Sequence, residues 1–350
     1  MQEVSDGTLR GTAHVAPPQL SVVVIGRNEG QGLARCLESI RQVRGVTVNE
    51  VIYVDSASTD GSVELASSFG ATVIALHPER PTAALGRNAG WRRAASDIIL
   101  FLDGDTILHP DFPLTACEAL SRESTVAVVW GHRREIHPEA SIYNRVLDLD
   151  WVYSPGPAEF CGGDVLMRRK VLEEAGGFDE GLIAGEEPEL CRRIRSRGYG
   201  ILHIDCPMTG HDLRITRWNQ YWKRATRAGH AYAEVAERFR NSDDPFWSSE
   251  RRRNLIRGIG WIISLAVAVA AVPFLGIFPV ALWFTLLMLL SLRSAWKARW
   301  KRATPGILFL YGIHSHLQQL PIFVGQLQYE LSKRRRRPQK LIEYNERRAD

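Results

Sequence analysis

A parallel α/β sheet wound with crossover helices, followed by membrane helices, is the fold class this sequence predicts. Three observations carry that expectation. Within the first hundred residues four short, β-branched apolar runs alternate with segments of helical spacing. Three of those runs end in polar clusters containing acidic residues. Farther on, a 35-residue window from Gly258 to Leu292 holds no charged residue. With 350 residues, 45% hydrophobic and 24% charged, the chain has the balance of a folded protein, which excludes intrinsic disorder. A mean hydropathy of -0.16 conceals the uncharged window, so a plain soluble protein is excluded as well.

The first strand is Leu20–Ile25, and the helix after it carries Leu33, Leu37, Ile40 and Val43 on one face. Val51–Val54 forms the second strand, with a helix near Ser62–Phe69. Thr72–Leu76 is the third, followed by a helix near Ala83–Ala95, and Ile98–Leu102 is the fourth. Strands apolar on both faces require helices on both sides of the sheet. Ligands in such open sheets gather beyond the carboxyl ends of the strands. There the sequence places Arg27-Asn28-Glu29, then Asp55 to Asp60, then Asp103-Gly104-Asp105. Carboxylates converging on one edge repel one another unless a cation lies between them or a partner brings positive charge. A divalent metal, Mg or Mn, is the economical answer. Asp103-Gly104-Asp105 is the sharpest signal, because alternate residues past a strand end can aim two carboxylates at one hard cation. The glycine between them lets a diphosphate approach the backbone. An ordinary acidic turn is the alternative, disfavoured by the buried strand in front of it.

Residues 107–240 are less regular and are assigned to acceptor recognition. Trp130-Gly131-His132-Arg133 predicts a further strand end, and a Gly/Pro-rich passage follows around Ser154–Gly163. Val171, Leu172 and Ala175 after Arg168-Arg169 predict a short helix ended by Gly176-Gly177; Glu189–Arg197 predicts another ended by Gly198. A continuous helix over the uncharged window would be about 52 Å long, against a hydrocarbon core of about 30 Å. Pro273, Gly276 and Pro279 therefore predict a hairpin of two helices turning at Phe274–Phe278. Basic residues flank both ends, Arg251–Arg253 and Arg257 before it, Arg293, Lys297 and Arg299 after it, which puts both on the cytoplasmic side. Pro305–Gln328 carries no formal charge, but its histidines and glutamines make it too polar to span, so an interfacial helix is expected.

The expected organisation is a flexible N-terminus over 1–17, a catalytic domain over 18–240 and a basic linker over 241–257. A transmembrane hairpin over 258–294, an interfacial helix over 295–332 and a basic tail over 333–350 follow. Residues 1–19 lack an apolar run, so no cleavable secretory signal is expected. Five widely spread cysteines without C-x-x-C argue against a disulfide framework or a zinc knuckle, and reduced thiols are expected. The net charge of +5 sits beside the apolar window and in the tail, where it points to anionic membrane lipids and not to nucleic acid.

Leu20–Glu29, Val54–Ser62, Arg87-Asn88-Ala89-Gly90, Phe101–Asp105 and Gly185–Leu190 follow one another as they do in the family 2 glycosyltransferases. Over roughly residues 18–235 the chain resembles that family, in its membrane-associated bacterial type. The resemblance implies a GT-A fold and an inverting transfer from a nucleotide-diphospho-sugar, with a UDP-sugar expected. It places Glu29 and Asp55 beside the nucleoside, with Arg87, Asp103 and Gly104 also on the donor. The metal falls to Asp103 and mainly Asp105, completed by a late histidine that matches His211. The second acid of the family's Glu-Asp pair is the base, which matches Glu187. Gly162-Gly163-Asp164 resembles the acceptor-side loop, with Glu186 beside it.

Departures are visible. One nucleotide-side carboxylate is missing from Val54-Asp55-Ser56-Ala57-Ser58-Thr59-Asp60, and the Glu-Asp pair is Glu186-Glu187. The choice of base thus lies among Glu186, Glu187 and Glu189. A charged amphipathic helix with Glu189 paired to Arg193 is the structural alternative, although acids at a helix start are stabilised as carboxylates. His211 has a core histidine as its alternative. Arg214, Arg217, Arg224 and Arg227 form a basic set suited to diphosphate or lipid phosphate. Gln220–Arg224 only approximates the Q-x-x-R-W of processive synthases, so a long polymer is not expected.

The function these readings imply is metal-dependent sugar transfer to a lipid-linked or saccharide acceptor in polysaccharide or glycolipid synthesis. The enzyme would be a multi-pass protein of the cell inner membrane with its catalytic domain in the cytoplasm. A polyprenyl-phosphate glycosyltransferase, a nucleotidyl or phosphoglycosyl transferase, and a non-catalytic nucleotide-sugar binding module are the alternatives.

Overall fold

The computed structural model describes residues 16–335, so most of the segments expected at 1–17 and 333–350 lie outside the described residues. β1 (Gln19–Gly26), α1 (Gln31–Arg41), β2 (Thr47–Ser56), α2 (Ser62–Ser68), β3 (Thr72–Leu76), α3 (Ala83–Arg93) and β4 (Ile98–Asp103) follow the expected order. Val22–Val24 and Ile99–Leu102 are buried, which is why these strands read apolar on both faces. β1 pairs in parallel with β2 on one side and β4 on the other, and β3 extends the sheet beyond β2. The chain thus leaves β1 to one side and returns to the other. That topological switch opens a crevice at the carboxyl ends of β1 and β4.

α3 is capped by the Thr82 hydroxyl, which accepts from the Leu85 amide at 3.2 Å. It lies so close on the sheet that a Cβ at Gly90 would fall 2.2 Å from Val23. This close approach delivers Arg87, one turn earlier, to the crevice.

The remaining sheet is mixed. β5 (Thr106–Leu108), α4 (Phe112–Arg122), β6 (Val126–Glu135), α5 (Ile142–Asp148), β7 (Gly156–Pro157), β8 (Val165–Arg168), α6 (Arg169–Ala175), α7 (Glu186–Arg195) and β9 (Gly200–His211) complete this part of the chain. β8 runs antiparallel to β4 and β6, whereas β9 runs parallel to β6. β5 and β7 each pair antiparallel with β9. The sheet is mostly parallel in its N-terminal half, as expected, and its antiparallel pairs come with β5, β7 and β8. Trp130–Arg133, expected at a strand end, lies inside β6. Its pairing with β9 slips at Trp130/His132 and again at His132/Arg133, and such bulges re-aim side chains. α7 begins at Glu186, three residues earlier than expected. Gly185 at φ +85 turns the chain there and leaves three acids in the first turn.

Six helices close the chain: α8 (Trp218–Arg238), α9 (Ser248–Ala270), α10 (Val272–Leu275), α11 (Phe278–Lys297), α12 (Pro305–Leu317) and α13 (Gln319–Arg334). α9 and α11 are long and apolar enough to cross a membrane, and most of their apolar side chains, Phe284 and Leu289 among them, are exposed. The turn between them falls at α10 and Gly276, as the proline and glycine positions predict. Trp283 donates to the Ser264 hydroxyl at 3.0 Å and joins the two helices. α9 starts at Ser248, so the basic stretch expected as a linker over 241–257 is largely the first half of that helix.

The single interfacial helix expected over 295–332 is instead a short 3₁₀ turn at Ala298–Lys301 and two helices, α12 and α13. Both are docked on the catalytic unit. A Cβ at Gly325 would lie 2.0 Å from the Thr226 carbonyl, and one at Gly229 would lie 2.0 Å from that of Ile322, so α13 and α8 touch backbone to backbone. On α12, His314 and Tyr311 reach Asp150 at 3.1 and 3.0 Å, and Tyr221 bonds His314 at 2.8 Å. The polar residues that argue against a membrane span are therefore holding these helices to the protein. Gly325→Val is expected to force α13 off α8 and to cost about 1–3 kcal/mol. A urea midpoint identical to wild type in the full-length protein would contradict this packing.

Candidate active site

The loops after β1 and β2 are tied to each other before either can hold a ligand. Asn28, at φ +56, donates its amide to the Ser58 hydroxyl at 2.8 Å, and its side chain accepts from the Thr59 amide at 2.8 Å. Gly30 donates to Asp60 at 3.0 Å. Asp55 is 1% exposed and accepts from the Tyr53 hydroxyl at 3.0 Å and the Ser58 amide at 2.8 Å. Its carboxylate shapes the turn beneath the crevice, whereas Glu29 and Ser56 line the crevice itself.

The Asp103-Gly104-Asp105 loop lies directly against the end of β1. Gly104 donates to the Ile25 carbonyl at 2.8 Å, and a Cβ there would meet Glu29 at 3.0 Å and that carbonyl at 3.1 Å. Only glycine fits the contact without displacing its neighbours. Behind the loop, buried Asp164 accepts from the Asp103 amide at 2.9 Å and the Thr209 hydroxyl at 2.7 Å. It acts as a brace for the loop.

Arg87 is the centre of the arrangement. Only 2% of it is exposed, and it lies 2.9 Å from Asp103, 3.1 Å from Glu186 and 3.0 Å from Glu187. Gly163 permits this: a Cβ there would stand 2.4 Å from the Arg87 Nη2. Arg133 takes the other oxygen of Asp103 at 3.2 Å and approaches Asp164 at 3.5 Å. Burial pushes the Asp103 carboxyl up, but Arg87 and Arg133 together outweigh it and hold the group below its ordinary value. Glu187 is affected in the opposite sense. Burial first, then neighbouring Glu186, push its carboxyl up to about 7 in spite of Arg87.

The three acids of α7 thus separate. Glu189 forms a two-pronged pair with Arg193, at 2.8 and 2.6 Å, and points into the protein framework. Glu186 is buried against Arg87. Glu187 shares that guanidinium and lines the cavity. His211 closes the far side, its Nε2 3.4 Å from Asp105. Among the described residues no three His, Cys, Asp or Glu side chains are grouped to hold a metal by themselves. Asp105 and His211 offer one carboxylate and one imidazole, a donor set that fits a divalent cation taking its other ligands from a diphosphate. Asp103, with both oxygens on arginines, is less suited to that role than its place in the motif suggests.

Glu29, Arg87, Asp103, Asp105, Glu186, Glu187 and His211 border one cavity of about 870 Å³. Its remaining wall was not anticipated from sequence: Arg133, Trp151 and residues of α9, α12 and α13. A bulge in β6 and backbone contacts of α13 bring them in, and neither leaves a short motif. Of the basic set expected beyond His211, Arg224 and Arg227 line the cavity, whereas Arg214 pairs with Asp212 at 2.8 Å and Arg217 is exposed at the start of α8. All five cysteines are buried and free.

Residues 21–176 match the protein family described as Glycosyl transferase family 2. Glycosyltransferase AglE of Haloferax volcanii is 24% identical over 228 residues, covering 62% of this chain and 74% of that protein. The pre-mycofactocin glycosyltransferase of Mycobacterium tuberculosis is 26% identical over 285 residues, covering 73% of this chain and 58% of that protein. Among solved structures, mannosyltransferase PcManGT from Pyrobaculum calidifontis, in complex with GDP-Man and Mn2+, superposes with a TM-score of 0.65. It shares 19% identity, with 93% of this chain and 92% of that one covered, a likeness of fold.

Arg87→Met would leave buried Glu186 and half-buried Glu187 facing each other without their cation, while Asp103 keeps Arg133, a loss of about 3–5 kcal/mol. In that variant Glu187, already raised by burial and Glu186, loses the cation that lowers it, so its folded-state pKa lies still further above the unfolded value. The contribution is then present at low pH and lost as pH rises. The stability gap from wild type should therefore widen between pH 5 and pH 8. A gap independent of pH would exclude the ionic role of Arg87.

Proposed function

Since the chain carries a family 2 glycosyltransferase domain and is a glycosyltransferase, we propose that it moves a sugar from a nucleotide-diphosphate donor to a hydroxyl of a lipid-linked or membrane-proximal acceptor, with inversion at the anomeric carbon. The observation that carries this reading is the junction at Arg87, where the donor-side Asp103 and the acceptor-side Glu187 meet at one guanidinium. A base has to accept a proton near neutral pH, and a carboxyl raised to about 7 is suited to do so.

Glu187 takes the proton of the acceptor hydroxyl. The freed oxygen forms its bond to the anomeric carbon while the opposite bond, to the donor's diphosphate, breaks. Arg87 orients Glu187, keeps Glu186 from reorganising and holds Asp103 in register with the donor. Glu29 and Ser56 face the nucleoside end. Divalent Mg or Mn, when bound, neutralises charge on the leaving diphosphate, and Asp105 with His211 are the residues that would hold it. Gly104 leaves the backbone open to that diphosphate.

α9 and α11 are read as a membrane hairpin, on their length, their exposed apolar surface and the basic residues flanking them. The catalytic domain would then face the cytoplasm at the inner membrane. Placing the site beside the bilayer raises the effective concentration of a lipid-borne acceptor without additional contacts.

The test is a panel of UDP- and GDP-sugars with Mg or Mn, scored for nucleoside diphosphate. Release of nucleoside monophosphate or pyrophosphate would indicate a different transfer class, and no turnover with any donor would reject the reading. Glu187→Gln is expected to lower kcat by about 10²–10⁴ with donor affinity retained. In the wild type, kcat/KM should fall as pH drops below about 7, and that limb should disappear in the variant. Asp105→Asn is expected to abolish donor turnover while the far-ultraviolet circular dichroism is unchanged.

A further inference from the structure

Trp151 lines the same cavity as the donor-side carboxylates. Arg133 lies 5.0 Å from the indole centroid and Arg224 lies 5.7 Å from it; the His211 ring is 5.2 Å away. Arg133 is already engaged by Asp103 and Asp164. Arg224 belongs to α8, and the cavity is also lined by Arg227 of the same helix and by Arg253 and Arg257 of α9.

Guanidinium groups gathered in one hollow are costly unless anions join them, and Asp150 of this cavity already faces Arg224. Arg253 and Arg257 stand one turn apart, a like-charge pair that disfavours the helix by about 0.2–0.5 kcal/mol. Arg253 has Glu250 at 3.5 Å. Among the described residues Arg227 and Arg257 have no carboxylate partner. The shelf also has a definite depth: Arg257 directly precedes Gly258, where the uncharged stretch of α9 begins. If α9 crosses the bilayer, these arginines stand at the level of the head groups. Forked donors at that level match a phosphate. The residues proposed for the donor's metal, Asp105 and His211, belong to neither α8 nor α9, so this set of cations comes from different elements.

We propose that the arginine shelf of α8 and α9 seats the phosphate that joins the acceptor's hydroxyl-bearing head to its lipid tail. The acceptor is then a phosphate-linked lipid, not a neutral glycolipid or a free saccharide. The proposal rests on the glycosyl-transfer reading for the word acceptor, while the phosphate seat is measurable by itself.

The experiment uses full-length protein in zwitterionic nanodiscs, with farnesyl phosphate and farnesol as matched probes and equilibrium binding as the readout. Wild type should bind farnesyl phosphate at least tenfold more tightly than farnesol. Arg227→Gln combined with Arg257→Gln should bring the two affinities within about twofold, and Arg227→Lys with Arg257→Lys should retain most of the preference. Equal wild-type affinities would overturn the proposal, as would a preference that survives the double glutamine variant. Inorganic phosphate binding as tightly as farnesyl phosphate would show a bare anion site and also overturn it. If the glutamine variant does not fold, the wild-type comparison and the lysine variant still decide. Nucleoside diphosphate release by wild type in the same nanodiscs reports on glycosyl transfer separately: its absence rejects the enzymatic reading and leaves the phosphate preference as measured.

Discussion

The buried cation of Arg87 is the constraint on which the rest of the site depends. Three carboxylates from two distant parts of the chain, Asp103 at the end of β4 and Glu186 and Glu187 at the start of α7, are drawn to one guanidinium. Without it they would repel across a space too dry to screen them. Its position is in turn fixed by two glycines. Gly90 lets α3 settle on Val23, and Gly163 leaves room for the guanidinium itself. One ion therefore fixes both the end of the Asp103 loop and the orientation of Glu187. It also divides the acids by role: Asp103 is held low and remains ionised, while Glu187 is held near neutrality and can exchange a proton.

Much of this could be read from the sequence, and the reasons differ element by element. β1 and β4 are legible because burial on both faces leaves a nearly continuous apolar run, and Thr72–Leu76, a partly exposed edge strand, still matches β3 residue for residue. The hairpin between α9 and α11 is legible because Pro273 and Gly276 interrupt an otherwise featureless apolar stretch. β6 was harder. Its C-terminal half, Trp130 to Glu135, alternates bulges with charged residues and has no clean period. The break between α12 and α13 and their docking on the protein are not legible, because histidine and glutamine are polar by composition whatever they touch. What they touch, Asp150 and the backbone of α8, lies far away in the chain.

The site divides along the same line. Residues carried by compact motifs, such as Glu29, Asp105 and Glu187, line the cavity as their order in the chain suggests. Asp55 and Asp103 come from equally compact motifs, yet their oxygens are taken up by Tyr53, Ser58, Arg87 and Arg133. A motif identifies a carboxylate, and the neighbours decide what it has left to offer. Trp151 and Arg133 could not be found by motif at all. They enter through a 3₁₀ turn and a register slip, features that sequence periodicity does not encode.

The contact of α13 with α8 is made through main chain at Gly325 on Thr226 and Ile322 on Gly229, and is extended by Tyr329 against His230 and Lys333 on Glu237. Such a joint neither tilts nor slides easily. With α9 and α11 in a bilayer, the catalytic carboxylates would stand at one set altitude above it. A substrate held in that bilayer has to bring its reacting hydroxyl up to this altitude by its own length, so its stature would be screened before its chemistry.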